Sequence, residues 1–467
     1  MKMWSGRFRQ PLDPDFEHWQ RSFAFDCRLL RYELAASGAH ARALKTAGIL
    51  TSDELIQILQ ALEEIGKHVT ESAEFLQDSD AEDVHHFVEK RLAAAIGDAG
   101  YKLHSGRSRN EQIATDLRLY VRAAIDEMRE QLAELCGAFV ARAEACADAA
   151  MPAYTHLQKA EPVLIAHWLM AYVEMFLRDA ARLADCRARL NVCPLGSGAV
   201  AGATLSLDRE SMAKALEFDA PTANSLDATS DRDFALEFAN DLSILAMHLS
   251  RWAEEMILFS SQEYGFINLP EAYSTGSSAM PQKKNPDLLE LVRGKSGRVI
   301  GHAISLLITM KGLPLAYNKD LQETQEPLFE AVDTMFGVLP LITGWMKEMT
   351  FEFERMEKAA EAGFMNAWAA ATYLTKKGVP SRFAHEHVGK AVQICIEKNC
   401  ELQDLPLVEL QAIDPAFGED FYACLTLASV IAIHDVPGGT APNRVRHAIA
   451  AAKKKIESLR KEVHAHA

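Results

Sequence analysis

Strand signals are scarce in this chain. Runs of Val, Ile, Thr and aromatic residues alternating with polar ones between turns hardly occur along its 467 residues, so a sheet has little to build on. Asp, Glu, Lys or Arg interrupts every long apolar run before it could span a bilayer. The start, Met1-Lys2-Met3-Trp4-Ser5-Gly6-Arg7-Phe8, has no apolar stretch of signal-peptide length. The expected compartment is the cytoplasm, with no membrane partner. Basic charge is also short: 49 Lys and Arg face 65 Asp and Glu, a net charge of −16, which argues against general affinity for nucleic acid or anionic surfaces. An anionic ligand must therefore meet a local basic cluster. The eight cysteines form no C-x-x-C and no zinc-type spacing, so they are expected to be reduced, structural thiols.

Other tempting patterns fail on context. Pro194-Leu195-Gly196-Ser197-Gly198-Ala199-Val200-Ala201-Gly202 is glycine-rich, but no strand precedes it and the spacing is not that of a dinucleotide fingerprint, so a turn is expected. His85-His86 and His385-Glu386-His387 lack the i, i+4 spacing that presents two ligands on one helix face, and no metal is expected. No serine lies in a G-x-S-x-G elbow. Internal repeats and low-complexity tracts are absent, and Lys453-Lys454-Lys455 is a solvated helix face.

What is present is helical periodicity. With 49% hydrophobic and 24% charged residues the chain can bury large cores. Phe238, Leu242, Leu245, Leu249, Trp252, Met256 and Phe259 alternate spacings of four and three, which is a bundle seam. A capping-box pattern, Ser230-Asp231-Arg232-Asp233, sets the amino end of that helix near residue 231. Further long helices are expected from about Gln112 to Ala147, after Pro162, after Pro286, and from about Glu326 to Glu357. At 1.5 Å per residue each is about 30 Å or longer, and their surplus apolar stripes imply packing between subunits. Gly and Pro punctuate shorter helices on either side. The expectation is an all-α protein in three segments, 1–106, 107–358 and 359–467, with a central bundle of about five helices.

Four polar stretches interrupt the long helices. Leu103-His104-Ser105-Gly106-Arg107-Ser108-Arg109-Asn110-Glu111-Gln112 places arginines, hydroxyls and an amide ahead of a helix amino end, a setting that favours an anion or a plain basic cap. Tyr154-Thr155-His156-Leu157-Gln158-Lys159-Ala160-Glu161-Pro162 offers a histidine suited to proton transfer, with Thr155 and Gln158 as donors to a carboxylate. In Asn224 to Asp233, Arg232 pairs either a ligand or its neighbouring aspartates. The fourth is Thr275-Gly276-Ser277-Ser278-Ala279-Met280-Pro281-Gln282-Lys283-Lys284-Asn285-Pro286-Asp287, a long loop between regular helices carrying two serines and two cations. Such loops are more often functional lids than filler.

Together these stretches resemble the fumarase/aspartase superfamily, whose signature the loop Gly276-Ser277-Ser278-x-Met280-Pro281-x-Lys283-x-Asn285-Pro286 fits. Within it, Trp4-x-Gly6-Arg7-Phe8, Gly106-Arg107-Ser108-Arg109-Asn110, Tyr154-Thr155-His156-Leu157-Gln158 and Leu315-Ala316-Tyr317-Asn318-Lys319-Asp320 are similar to the argininosuccinate lyases. The resemblance runs from about residue 4 to about residue 445. It implies a carbon–nitrogen lyase that splits argininosuccinate into arginine and fumarate without metal or organic cofactor. It also implies a homotetramer with a core of about 20 helices, each active site drawing on three subunits. By motif, Ser277 is the general base, His156 a second proton carrier oriented by Glu290, and Lys283 and Asn285 stabilise developing charge. Ser22, Ser108, Asn110, Thr155, Tyr317 and Gln322 bind substrate, with Arg109 and Arg232 as additions.

The chain departs from the family pattern in three places. Gln322-Glu323-Thr324-Gln325-Glu326 puts neutral Gln325 where a substrate-contacting lysine is usual. Ala367-Trp368-Ala369-Ala370-Ala371-Thr372-Tyr373-Leu374 loses two carboxylates and gains a tryptophan, and Glu161 replaces a glutamine. A sister lyase acting on another fumarate adduct, such as adenylosuccinate or aspartate, and a non-catalytic structural protein of the same fold are the alternatives.

Overall fold

The computed structural model describes residues 10–71, 73–77 and 80–465, so the motif Trp4-x-Gly6-Arg7-Phe8 lies outside the described residues. In chain order the principal elements are α1 (Leu30–Thr46), α2 (Ser52–Glu71), α3 (Val84–Ile96), α4 (Arg109–Ala145), β1 (Ala150–Thr155), β2 (Gln158–Leu164), α5 (Ile165–Leu190), α6 (Asp233–Ser260), α7 (Asp287–Met310), α8 (Gln325–Glu348), α9 (Phe353–Glu361), α10 (Ala367–Lys376), α11 (Ser381–Lys398) and α12 (Pro442–His464). The protein is all-α in class. The long helices expected from periodicity are α4 to α8, of 37, 26, 28, 24 and 24 residues.

Three local readings change. Tyr154 to Pro162 is not a plain loop but the tip and second strand of a hairpin, with Ala150 paired to Leu164 and Thr155 to Gln158. Its turn is His156-Leu157, which lacks the Asn-Gly or Asp-Gly that would announce it. The last long helix ends at Glu348 rather than near 357, because Thr350–Phe351 pairs antiparallel with Ile267–Asn268 before α9 begins. At the start of α6 the cap is Asp231, whose carboxylate accepts the Asp233 N–H at 2.7 Å, while Ser230 donates backwards to the carbonyls of Leu226 and Asp227.

The chain divides into two compact units. One holds residues up to Glu127, Arg182–Ser243 and Arg298–Thr334. In it α1, α2 and α3 enclose Leu29, Leu44, Ile58, Phe87 and Leu92, all fully buried, and Phe23 stacks on Phe87 at 4.9 Å. Arg118 of α4 is buried: it donates to the Leu190 carbonyl at 2.8 Å, pairs with Asp231 and lies 4.6 Å over the Phe234 ring, while its Nε has no hydrogen-bond partner. Gly198 holds φ at 59°, and a Cβ there would come within 2.8 Å of the Gly202 carbonyl oxygen, so the turn after Pro194 needs glycine.

The other unit holds Met128–Ala181, Ile244–Gly297 and the chain from Met335 onward. Its bundle core is aromatic: Trp252 meets Trp345 edge-on at 5.3 Å, and Phe139 lies 6.3 Å from Trp252 and 5.5 Å from Phe176. The buried His248 and Asp179 pair at 2.7 Å. A second cluster gathers Leu374, Cys395, Leu402, Phe417 and Phe421 around α10 and α11. All eight cysteines are free thiols. Helix α7, whose residues fall to this unit up to Gly297 and to the first from Arg298, buries Leu289, Val292, Val299, Ala303 and Leu306, yet Leu291, Ile300, Ile304, Leu307 and Ile308 remain exposed, which is an apolar stripe to spare.

Candidate active site

The first unit contains a cavity of about 1100 Å³. Its geometry starts from Asp83, which caps α3 by accepting the His86 N–H at 2.7 Å and also pairs with Arg109, the first residue of α4, at 2.8 Å. One carboxylate thus ties together the amino ends of two helices, where backbone N–H groups favour negative charge. Ser22 donates to Asp26 at 2.7 Å, and the second Asp26 oxygen accepts the Val84 N–H at 3.1 Å. Burial, then the nearby Asp83, pushes the Asp26 carboxyl up to about 7. Tyr317 and Gln322 approach from the segment before α8, with the Gln322 amide donating to the Gln20 carbonyl at 3.2 Å.

Five expected binding residues, Ser22, Arg109, Asn110, Tyr317 and Gln322, therefore line one cavity. Ser108 caps α4 instead, its hydroxyl accepting the Asn110 N–H at 3.3 Å and its own N–H donating to Glu111 at 2.9 Å. Arg232 is 1% exposed and donates to the Asp231 backbone carbonyl at 2.7 Å, while its Nε and one terminal nitrogen have no partner. Burial holds its pKa down to about 10, opposed most by the Tyr317 hydroxyl group. The aspartates beside it are not its salt-bridge partners.

In the sequence His85 reads only as half of a rejected metal-ligand pair. It lies on the cavity wall with Nε2 3.0 Å from Asp116 and 3.7 Å from Glu33, both fully buried. Burial alone would lower the imidazole pKa, but Asp116, Glu33 and Asp83 outweigh it and hold it at about 9. Glu33, His85 and Asp116 have ligand atoms within 4.8 Å of one another. Their negative charge is already met by the imidazolium and by Arg107, 3.7 Å from Glu33. The cluster orders the cavity wall: Gln112 and Ser37 donate to the same Glu33 oxygen at 3.0 and 2.6 Å.

The remaining expected residues lie on the second unit. Thr155 and His156 sit at the hairpin tip, exposed, with His156 in the left-handed region at φ 55°. The Ser277 loop is pinched at its base, where Thr275 pairs with Asn285 and Gly276 with Lys284. Within it the Ser277 hydroxyl oxygen accepts the N–H groups of Ala279 and Met280 at 3.3 and 3.1 Å. Asn285 reaches back to Thr275 and the Gly276 carbonyl. Lys283 and Glu290 are exposed. Among the described residues of one chain, His156 and Glu290 do not hydrogen-bond to each other, so the expected orientation of His156 by Glu290 is not made within the chain.

Comparison with known proteins decides the family. The Lyase family profile matches residues 6–301, and the argininosuccinate lyase C-terminal profile matches 364–432. The chain is 58% identical over 459 residues to the argininosuccinate lyase of Koribacter versatilis, covering 98% of each, and 56% identical to that of Acidobacterium capsulatum, covering 98% of this chain and 96% of the relative. The chain belongs to the argininosuccinate lyase family. Among solved structures, an EDDS lyase variant with bound fumarate superposes with a TM-score of 0.85 at 26% identity, covering 98% of this chain and 92% of that one. A class II fumarase from Schistosoma mansoni, at 16% identity and a TM-score of 0.72 over 84% and 89% of the two chains, shares the fold.

Two departures from the family pattern meet in space. Glu161 pairs with His434 at 3.3 Å, and the Trp368 ring lies edge-on to the same imidazole at 6.5 Å. Of the cavity residues missed in sequence, Glu82, Asp83 and His85 carried a faint signal in Asp80-Ala81-Glu82-Asp83-Val84-His85, an acidic run ahead of an apolar helical pattern, whereas Asp26 lies outside it.

Proposed function

We infer that the protein is an argininosuccinate lyase, cleaving argininosuccinate reversibly into arginine and fumarate in arginine biosynthesis, and that it works in the cytoplasm. The observation that carries the mechanism is the Ser277 hydroxyl, which accepts two backbone N–H groups. A free serine is far too weak an acid to act as base near neutrality. Two donors aimed at Oγ stabilise the alkoxide and leave its lone pair for a proton.

In this reading Ser277 removes the proton beside a succinyl carboxylate, and the electron pair passes onto that carboxylate. Lys283 and Asn285 hold the resulting charge. The carbon–nitrogen bond then breaks, its electron pair leaves with the guanidinium nitrogen of arginine, and His156 is the group that handles the second proton. Ser22, Asn110, Tyr317, Gln322 and Arg109 would hold the substrate, with Thr155, Ser108 and Arg232 beside them.

Exposed proton-transfer groups support a homotetramer with shared sites. Thr155, His156, Lys283 and Glu290 all face solvent in one chain, where charge stabilisation is weak. The spare apolar stripe of α7 would bury against other subunits and cover them. The test is fumarate absorbance on mixing purified protein with argininosuccinate. Release is expected, and Ser277→Ala should abolish it while light scattering still reports a tetramer. Activity only on another adduct, adenylosuccinate or aspartate, would overturn the substrate assignment; unchanged turnover in the variant would remove Ser277 from its role.

A further inference from the structure

The ladder that carries His156 is broken just below its tip. Between Tyr154 and Pro152 the first strand spans two residues, while its partner spans three between Lys159 and Pro162, so β2 holds an extra residue around Ala160-Glu161. A bulge of this kind interrupts the ladder and re-aims the side chains beside it. Beyond it two pairs, Tyr154 with Lys159 and Thr155 with Gln158, support a turn whose residues both have positive φ. A ribbon so short does not hold its place by strand pairing alone.

Its place is fixed from outside. On one strand the Tyr154 ring packs against Phe259 and Tyr264, with centroids 6.0 and 5.7 Å away. On the other, the Lys159 ammonium reaches the carboxyl end of α9 and donates to the carbonyls of Ala359 at 2.7 Å and Ala362 at 3.3 Å. The last carbonyls of a helix have no partners within it and carry partial negative charge, so a lysine there makes charge-assisted bonds. The receiving segment is itself held, because Glu401 accepts the N–H groups of Gly363 and Phe364 at 3.0 and 3.3 Å. The same carboxylate attracts the Lys159 ammonium. Below the tip Glu161 meets His434 at 3.3 Å, and the Leu164 N–H donates to the Thr440 hydroxyl at 2.9 Å. Those ties secure the base of the hairpin, and Lys159 secures the tip.

We propose that Lys159 is a positioning residue for the lyase reaction, its ammonium holding the hairpin tip, and with it His156 and Thr155, against the end of α9. The proposal rests on the role given to His156 above. A proton carrier misplaced by about 1 Å loses up to about a hundredfold in rate, and a tip tied to a fixed helix end cannot swing that far. Ser22, Asn110, Tyr317 and Gln322 lie on the other unit, so losing the tie leaves most of the expected binding contacts in place. The effect therefore falls on turnover rather than on affinity.

Steady-state kinetics of fumarate release from argininosuccinate tests this on three proteins: the unsubstituted enzyme, Lys159→Met, which keeps the apolar stem and removes the donors, and Lys159→Arg, which can still donate to both carbonyls. Lys159→Met is expected to lower kcat by between about tenfold and about a hundredfold while KM stays within roughly threefold. Its melting temperature and its light-scattering mass should match those of the unsubstituted enzyme, and Lys159→Arg should recover most of the lost kcat. An unchanged kcat in Lys159→Met would overturn the proposal, as would a raised KM at constant kcat, which would put Lys159 on the substrate. A loss that arginine does not restore, or one that comes with a fallen melting temperature or a smaller assembly, would overturn it too. If the unsubstituted enzyme releases no fumarate, the reaction assignment falls and the proposal with it.

Discussion

Thr155 stands opposite Gln158 across the β1–β2 ladder, so His156 and Leu157 alone make the turn, and both hold positive φ, 55° and 57°. Such a two-residue turn matches the twist of the strands, but it asks two side-chain-bearing residues to sit where glycine or asparagine is usual. Strain of this kind is kept where the residue itself is needed. That describes His156. Leu157 is 67% exposed and gains no core packing in return.

Leu157→Gly is therefore expected to stabilise the protein by about 1 kcal/mol, raising the melting temperature in calorimetry without loss of turnover. His156→Gly should relieve the same strain and lose turnover. A lowered melting temperature for Leu157→Gly would contradict the argument.

The His85 pair predicts a pH dependence of stability. The folded imidazole titrates at about 9, above its ordinary 6.5, so its contribution is complete below about 6.5 and is lost as pH rises through 9. Thermal melts of the natural chain and of His85→Gln between pH 6 and pH 10 should show a wide gap at the acid end that closes towards pH 10. A gap independent of pH would mean that the imidazolium is not what Asp116 and Glu33 require.

Arg232 predicts a trade between stability and binding. A guanidinium 1% exposed with two nitrogens unpartnered is uncompensated buried charge until an anion arrives. Arg232→Met should leave stability unchanged or higher by about 1–3 kcal/mol and raise KM at least tenfold, about 1.4 kcal/mol of binding. Loss of stability with an unaltered KM would make Arg232 a structural residue only.

The proposed sharing of active sites between subunits predicts recovery of activity from two inactive proteins. Ser277→Ala and Asn110→Ala change groups on different units of the chain, and each alone should be inactive. Dissociating the two variants together and letting them reassemble should restore fumarate release, because some sites would then draw both intact groups from different subunits. Mixtures as inactive as their parents would argue that one chain supplies a whole site.

The helices and the loop motifs were legible in the residues because they are local: a seam such as Phe238 to Phe259 repeats within one element, and the signature around Ser277 is contiguous. The hairpin at His156 was not legible, since no turn residue marks it and its strands exist through pairing with each other. The chain's own order of residues determined the class of fold, the family and the loop that bears the serine. Tertiary structure alone decided that His85 meets Asp116 and Glu33, and that Asp83 joins the starts of α3 and α4. Such pairings depend on burial, which sets the cost of an unpaired charge or acceptor, and burial is a property of the folded chain rather than of any segment of it.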